Sequence, residues 1–413
     1  MRISTVTMFE QSTASMNRQQ SDLMKVSQQI ASGRRVVNPS DDPQAASRAV
    51  GVDQAKAATE QYSDSRISAR NSLSQSESIL NSISDAVTSA KTLLIQASSD
   101  TLSDVDRESI ASELKGVYET MLGQANATDG NGRYLFGGYK DNAPPFQKVG
   151  DSVQYQGDRN VREQRVDASR LMPVNDNGET IFKSVPSGAG YVAEAKKDDG
   201  SLNSGNVTFR GPQINDVKDA KDFRITFTSE NEFNFETFND TTNSWTAAET
   251  GKPYDWKQGD PALQVSYEGI SISLQGTPAA EDSILVAKAG SEQREPDLFR
   301  TMEEAIRVLD NPVQTDAGKA DLRNTLNTAM RDLDNSLDNV LTVRASAGAR
   351  LNELDVIDAV GSNRTLNYEQ TLSDLVDLDY AEAISEYSLR QVGMQAAQKA
   401  FVDIKGLSLF NYM

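Results

Sequence analysis

The chain has 413 residues and a formal net charge of −19, with 41 Lys and Arg against 60 Asp and Glu. This length allows two or three domains of the usual ~100 to 200 residues, and the acidic balance predicts a surface that repels phosphate backbones and anionic lipids. Neither nucleic acid nor a membrane is therefore an expected partner. The chain has no Cys and no His, which removes the commonest zinc ligands and the usual general base of hydrolases.

Export signals of the ordinary kind are also missing from the sequence. No stretch approaches the ~20 apolar residues that cross a bilayer. Residues 1–30 lack the basic start and the continuous apolar run of a secretory signal peptide.

The first predicted element is an amphipathic helix over residues 5–32. Its narrow apolar stripe repeats every seven positions: Phe9, Met16, Leu23 and Ile30. Gly33 is expected to cap it, and a structural turn follows, built on Asn38, Pro39, Asp41, Asp42 and Pro43. Either Asp41 or Asp42 is expected to cap the next helix, with Pro43 in its first turn.

Two further helices are predicted before residue 130. The proline-free stretch from Gln44 to about Ser99 carries the two seven-residue series of a coiled-coil seam: Ala69, Ser76, Ile83, Ala90 and Ala97 with Leu73, Leu80, Val87 and Leu94. We expect this seam to be core within one chain. A second helix, roughly Asp104 to Asn126, is expected to pack antiparallel to the first.

The middle of the chain changes period. Up to about residue 290, apolar and polar residues alternate between Gly, Asn and Asp clusters, most clearly in residues 223–228, 232–238, 263–267 and 270–274. Alternation of this kind is typical of strands. The sequence therefore predicts a β-rich central domain.

The helical period returns after Pro296, with a break at Pro312. One apolar face is predicted from Leu322, Leu326, Ala329, Leu333, Leu337, Val340, Ala347, Leu351 and Leu354. The last helix repeats the opening pattern, and its seam comprises Tyr380, Tyr387, Met394, Phe401, Ile404, Leu409 and Phe410. Because narrow stripes leave a monomer little apolar area to bury, we expect both terminal helices to pair on assembly.

The predicted fold class is α+β: an elongated helical coiled-coil bundle formed by the N- and C-terminal segments, with an inserted β-rich central domain. The expected domains are an assembly helix and turn (1–43), the two halves of the helical rod (44–140 and 293–366), the central domain (141–292) and a C-terminal assembly helix (367–413).

Four stretches of the sequence carry a family resemblance. They are Met1-Arg-Ile-Ser-Thr5, residues 31–43, Arg133-Tyr-Leu-Phe-Gly-Gly-Tyr139, and Asp377-Leu-Asp-Tyr-Ala-Glu-Ala383 with the Leu407-Ser-Leu-Phe-Asn-Tyr-Met413 ending. This set resembles the flagellin-like axial proteins of the bacterial flagellum, and most closely the hook-associated protein 3 family. The resemblance covers about residues 1–145 and 300–413.

The resemblance implies a structural adaptor at the junction of hook and filament, outside the cell. It implies export through the flagellar type III apparatus without a cleaved signal peptide, and escort by a cytoplasmic export chaperone. The implied partners are further copies in a ring at the hook tip, the first hook-associated protein, flagellin, and the filament cap during assembly. A flagellin subunit is the alternative within the same assembly.

Other functions are weighed against this interpretation. The acidic stretch Asp332–Asp338 is read as a solvated helix face, because Leu337 stands where a calcium loop needs Gly. Asp374, Asp377 and Asp379 are read as surface or helix N-terminal charge. A pair of carboxylates in the central domain leaves a glycosidase conceivable, and a surface-binding module displayed by residues 146–290 is a third alternative. No metal, cofactor or catalytic residue is proposed.

Overall fold

The computed structural model describes residues 5–150, 152–216, 220–239, 242–311 and 313–406. The helices within this part of the chain are α1 (Thr5–Ser32), α2 (Pro43–Ala97), α3 (Asp104–Ala125), α4 (Gly178–Phe182), α5 (Leu298–Asp310), α6 (Asp316–Val376) and α7 (Tyr380–Gly406). The predicted helices and their order are confirmed. Pro312 lies outside the described residues, between the end of α5 and the start of α6.

The strands fall between the two helical regions, as the change of period predicts. They are β1 (Phe146–Val149), β2 (Ser152–Tyr155), β3 (Glu163–Asp167), β4 (Arg170–Pro173), β5 (Tyr191–Ala195), β6 (Thr208–Ile214), β7 (Phe223–Ser229), β8 (Glu232–Asn239), β9 (Ser244–Pro253), β10 (Leu263–Tyr267), β11 (Ile270–Gln275) and β12 (Ser283–Lys288). The α+β class is therefore confirmed. No described helix combines the length and the apolar character needed to cross a membrane.

The chain divides into two compact units. Unit 1 comprises residues 1–66 and 355–413, and unit 2 comprises residues 67–354. Unit 1 therefore combines the two ends of the chain, whereas unit 2 is one continuous stretch of the sequence.

The helical part of unit 2 is built on the predicted seam. Leu73, Leu80, Ile83, Val87 and Leu94 are all fully buried, so the expectation of an intrachain core is confirmed. A short connection joins the end of α2 to the start of α3, and Gln75 Nε2 donates to the Thr128 carbonyl at 2.9 Å just beyond the end of α3. The two helices are therefore antiparallel, as predicted.

An aromatic cluster completes this core and gives the Arg133–Tyr139 stretch a structural role. The Phe136 ring packs edge-on against Phe182, with centroids 6.0 Å apart, and Phe182 packs against Phe146 and Phe299 at 5.1 and 5.6 Å. Gly138 has φ +68°, and a Cβ there would lie 2.7 Å from the Asp158 carbonyl oxygen. The motif therefore turns the chain tightly and buries its phenylalanine.

Among the described residues, the central region contains two small antiparallel sheets, β1-β2 and β3-β4, and two larger ones that pack together. One of the larger sheets has strand order β5-β12-β7-β8-β9, and the other has order β10-β11-β6. Their shared core includes Phe209, Phe223, Phe227, Ile272 and Val286. Side chains of α6 hold this sandwich: Asn324 accepts from the Phe209 amide at 3.1 Å and donates to the Val207 carbonyl at 2.8 Å. Both polar groups of the buried Asn324 carboxamide are thereby hydrogen-bonded.

One prediction about α6 is wrong in part. Asp332, expected on a solvated face, forms a bidentate pair with Arg294, both N–O distances being 2.7 Å. Arg294 is 5% exposed, and a buried guanidinium requires carboxylate partners. Glu194 also contacts it, at 3.2 Å. The helical period could not reveal this, because Arg294 precedes α5 and meets α6 only in the folded chain.

Candidate assembly surface

The two terminal helices of unit 1 form an antiparallel pair. The rings of Phe9 and Phe401 lie 5.2 Å apart, Asp22 and Arg390 form an ion pair at 3.0 Å, and a Cβ on Gly33 would meet the Tyr380 hydroxyl. Contacts thus move down α7 as they move up α1. The sequence-predicted seams are brought together within one chain.

The predicted seam residues differ in burial. Met394 is 9% exposed, whereas Phe9 is 45% and Tyr380 is 52% exposed. The remaining described seam side chains are partly buried: Met16, Leu23, Ile30, Tyr387 and Phe401. The side chain of Ile404 and the residues Leu409 and Phe410 lie outside what the structure describes.

Val26, Asp22 and Arg390 belong to the pair but were missed by the sequence pattern. Val26 is 4% exposed, more buried than any predicted seam residue of α1. Val26 belongs to a second seven-residue series whose other members are Ser12, Gln19 and Gly33. Because none of those three is a large apolar residue, the series does not show as an apolar repeat. The opposite charges of Asp22 and Arg390 at seam-adjacent positions were the available clue.

The turn before α2 and the turn before α7 are joined by hydrogen bonds. The Arg35 amide donates to the Val376 carbonyl at 2.7 Å, and the Leu378 amide donates to the Gly33 carbonyl at 3.0 Å. The Arg35 guanidinium adds a bond of 2.6 Å to the Leu375 carbonyl. These bonds fix where both terminal helices begin and end.

The structure resolves the choice between the two capping aspartates. Asp42 caps α2, because its Oδ1 accepts from the Ala45 amide at 3.0 Å, with Pro43 at the first helical position. Asp41 instead closes the turn itself, accepting from the Asn38 amide at 2.9 Å. Asp379 caps α7 through the Ala381 amide at 2.8 Å, which confirms its helix N-terminal role.

These bonds lower the pKa of both turn carboxyls. The Asn38 amide, followed by Lys25, holds the pKa of Asp41 below its usual value. The Ala45 amide, followed by Arg35, does the same for Asp42. Hydrogen bonds to the ionised form of a carboxyl group lower its pKa. The folded turn therefore favours the ionised form of both aspartates.

Unit 1 exposes more large apolar side chains than it buries. Its buried apolar residues among those described are Val26, Val36, Ala45, Ala383 and Met394. In the described part of unit 1, twelve large apolar side chains are exposed: Phe9, Met24, Val37, Val50, Val356, Val360, Leu366, Tyr380, Ile384, Leu389, Val392 and Val402. We call the last four, Ile384, Leu389, Val392 and Val402, the outer face of α7. Large exposed apolar patches are typical of interaction sites in soluble proteins.

Comparisons with known proteins agree with these features. A model of the bacterial flagellin N-terminal helical region matches residues 3–141. Flagellar hook-associated protein 3 of Escherichia coli is 35% identical, and that of Salmonella typhimurium 32% identical, each over 99% of this chain and 99% of the relative. The chain belongs to the flagellar hook-associated protein 3 family.

A solved structure of the family has the same fold. FlgL of Xanthomonas campestris superposes with a TM-score of 0.65 at 26% identity, covering 78% of this chain and 99% of that one. Membership places the chain in the flagellum, among other flagellar proteins.

Proposed function

We propose that the protein is the structural adaptor joining the flagellar hook, through the first hook-associated protein, to the flagellin filament. The observation that carries the proposal is the 35% identity to a hook-associated protein 3 along 99% of both chains. The role needs no chemistry: the chain acts by shape and contact, and it is not an enzyme.

Unit 1 is the proposed assembly surface. The α1–α7 pair forms within the chain through the Phe9–Phe401 and Asp22–Arg390 contacts. The outer face of α7 then remains for neighbours, which are other copies in a ring at the hook tip. Burial of apolar side chains contributes roughly 25 cal/mol for each Å² removed from water, so this face favours association over solvent exposure.

We propose that the segments predicted from the sequence have different roles. Residues 1–43 and 367–413 carry assembly, the helical segments 44–140 and 293–366 support it, and residues 141–292 form a displayed domain. The proposed further partners are flagellin above, the filament cap during growth, and a cytoplasmic export chaperone before export through the flagellar type III apparatus.

Stepwise reconstitution tests the adaptor role. Purified chain is added to hooks that end in the first hook-associated protein, and to hooks that lack it, followed by flagellin. We expect the chain to bind only the former, and flagellin filaments to grow only where it has bound. Growth of long filaments from the purified chain alone would instead identify a flagellin subunit and contradict the proposal.

A further inference from the structure

The five-stranded sheet of unit 2 carries a cleft on the side opposite the sandwich core. Phe223 and Ile225 of β7 point into the core, so Arg224 between them points outward. The cleft has a volume of about 220 Å³ and is lined by Lys197, Asp198, Arg224, Trp245, Ser283 and Gln293, with others. We call it the Trp245 cleft.

Trp245 is held rigidly in this cleft. The Arg224 guanidinium carbon stands 4.9 Å from the indole centroid, at cation–π distance. Phe238, its cross-strand partner on β8, packs edge-on at 5.4 Å and 71°. An aromatic ring fixed on two sides offers a preorganised apolar surface, because little side-chain entropy remains to be lost on binding.

Most charged groups around the cleft are already paired within the protein, and the Lys197 ammonium donates to the Ser204 hydroxyl at 2.8 Å. Arg224 pairs with Glu236 at 2.6 Å and with Asp198, and Lys196 bridges Glu194 at 3.0 Å and Glu304 at 2.7 Å. A charged ligand would have to break these pairs. The cleft therefore suits a neutral ligand.

Two polar groups of the cleft are available to form hydrogen bonds with a ligand. Within the described part of the chain, neither the Gln293 carboxamide nor the Trp245 indole N–H has a hydrogen-bond partner. Both residues are only partly exposed. Together they offer donors and one acceptor beside an aromatic surface, which is what a polyhydroxylated ring requires.

We propose that the Trp245 cleft binds a neutral saccharide, one sugar ring or the terminal ring of a glycan. The ring stacks on Trp245 and its hydroxyls bond to Gln293 and the indole N–H. The cleft is smaller than the about 300 Å³ at which drug-sized pockets begin, so it takes one ring. Because a single ring offers few atoms for contact, the binding is weak.

Tryptophan fluorescence of the full chain tests this. The chain has two Trp, so a Trp256→Phe variant reports Trp245 alone. The methyl glycosides of glucose, galactose, mannose and N-acetylglucosamine are titrated separately, with N-acetylneuraminic acid as the anionic comparison. We expect a saturable change with at least one neutral glycoside, weakened about tenfold by Gln293→Ala because hydrogen bonds are lost.

Saturation-transfer NMR on the bound glycoside gives the matched controls. Transfer should persist in Trp245→Phe, which keeps an aromatic surface, and vanish in Trp245→Ala, with circular dichroism showing both variants folded. The proposal is overturned if no neutral glycoside gives a saturable change, if only the anionic sugar binds, or if Trp245→Ala binds as well as the parent chain.

Discussion

At the residue scale, the turns of unit 1 show how a few side chains set the position of whole helices. Gly33 ends α1 with φ +69°, a conformation that L side chains adopt at a cost. The same residue packs against Tyr380 at the start of α7, where a Cβ would lie 2.9 Å from the hydroxyl oxygen. The positive φ favours glycine, and the nearby hydroxyl adds a contact that a methyl group would crowd.

A double-mutant cycle separates the backbone strain at position 33 from the contact with the Tyr380 hydroxyl. Gly33→Ala should lower the free energy of unfolding by more than the about 1–2 kcal/mol of left-handed strain, because the new methyl also meets the Tyr380 hydroxyl. In a Tyr380→Phe background the next atom, Cζ, is 3.9 Å away, so only the strain should remain.

Gly132→Ala serves as the control for strain alone, since Gly132 has φ +80° with open space around it. Denaturant unfolding monitored by circular dichroism measures all variants. If Gly33→Ala lowers the free energy of unfolding equally in the Tyr380 and Tyr380→Phe backgrounds, the contact with the hydroxyl does not affect stability.

The lowered pKa values of Asp41 and Asp42 predict acid sensitivity of this turn. Because each pKa is lower in the folded chain than the usual 3.8, the stabilisation is complete above pH 3.8 and is lost as the pH falls through the folded values. Asp42→Asn keeps a capping oxygen but does not titrate. Its stability should therefore fall less steeply than that of the parent chain below pH 3.8.

Carboxyl ¹³C NMR titration of both aspartates, with unfolding measured at each pH, checks this expectation. Asp199, an exposed carboxyl also held below its usual pKa but in unit 2, is the reference for general acid effects. Parallel pH dependence of the parent and Asp42→Asn would contradict it.

At the element scale, α7 uses different sides for different tasks. Met394 faces α1 at 9% exposure, whereas Val392, two residues earlier, is 63% exposed. Helices that bury little apolar area alone depend on partners for stability. The inner side therefore holds the α1–α7 pair together, and the outer side is the surface that we propose for contact with neighbouring copies.

Charge placed on either side should produce different defects. Met394→Asp buries an unpaired charge and should destabilise the α1–α7 pair by more than about 1 kcal/mol, reducing helix content of the monomer. Val392→Asp should leave monomer helicity unchanged and weaken addition to hook tips. Circular dichroism and hook-tip binding measure the two effects.

The matched control is Val105→Asp, the same change at a 71% exposed position of α3. It should affect neither measurement. If Val392→Asp and Val105→Asp bind hook tips equally well, the outer face of α7 is not an assembly surface.

At the scale of the whole molecule, the sequence predicts the helices, the central strands and the fold class. It does so because apolar residues recur every seven positions in the helices and every two positions in the strands. It fails where contacts join distant segments. The pairing of Arg294 with Asp332 and the burial of Val26 depend on which elements meet. Of the candidate site, the seams were predictable, but the capping choice between Asp41 and Asp42 required the structure.

The most direct test of the adaptor role uses a strain from which this gene is deleted. Electron microscopy of the hook tips and an assay of flagellin in the medium are carried out after complementation with the parent chain, Val392→Asp or Val105→Asp. We expect bare hooks and released flagellin in the deletion strain, with filaments restored by the parent and Val105→Asp but not by Val392→Asp. Normal filaments in the deletion strain would contradict it.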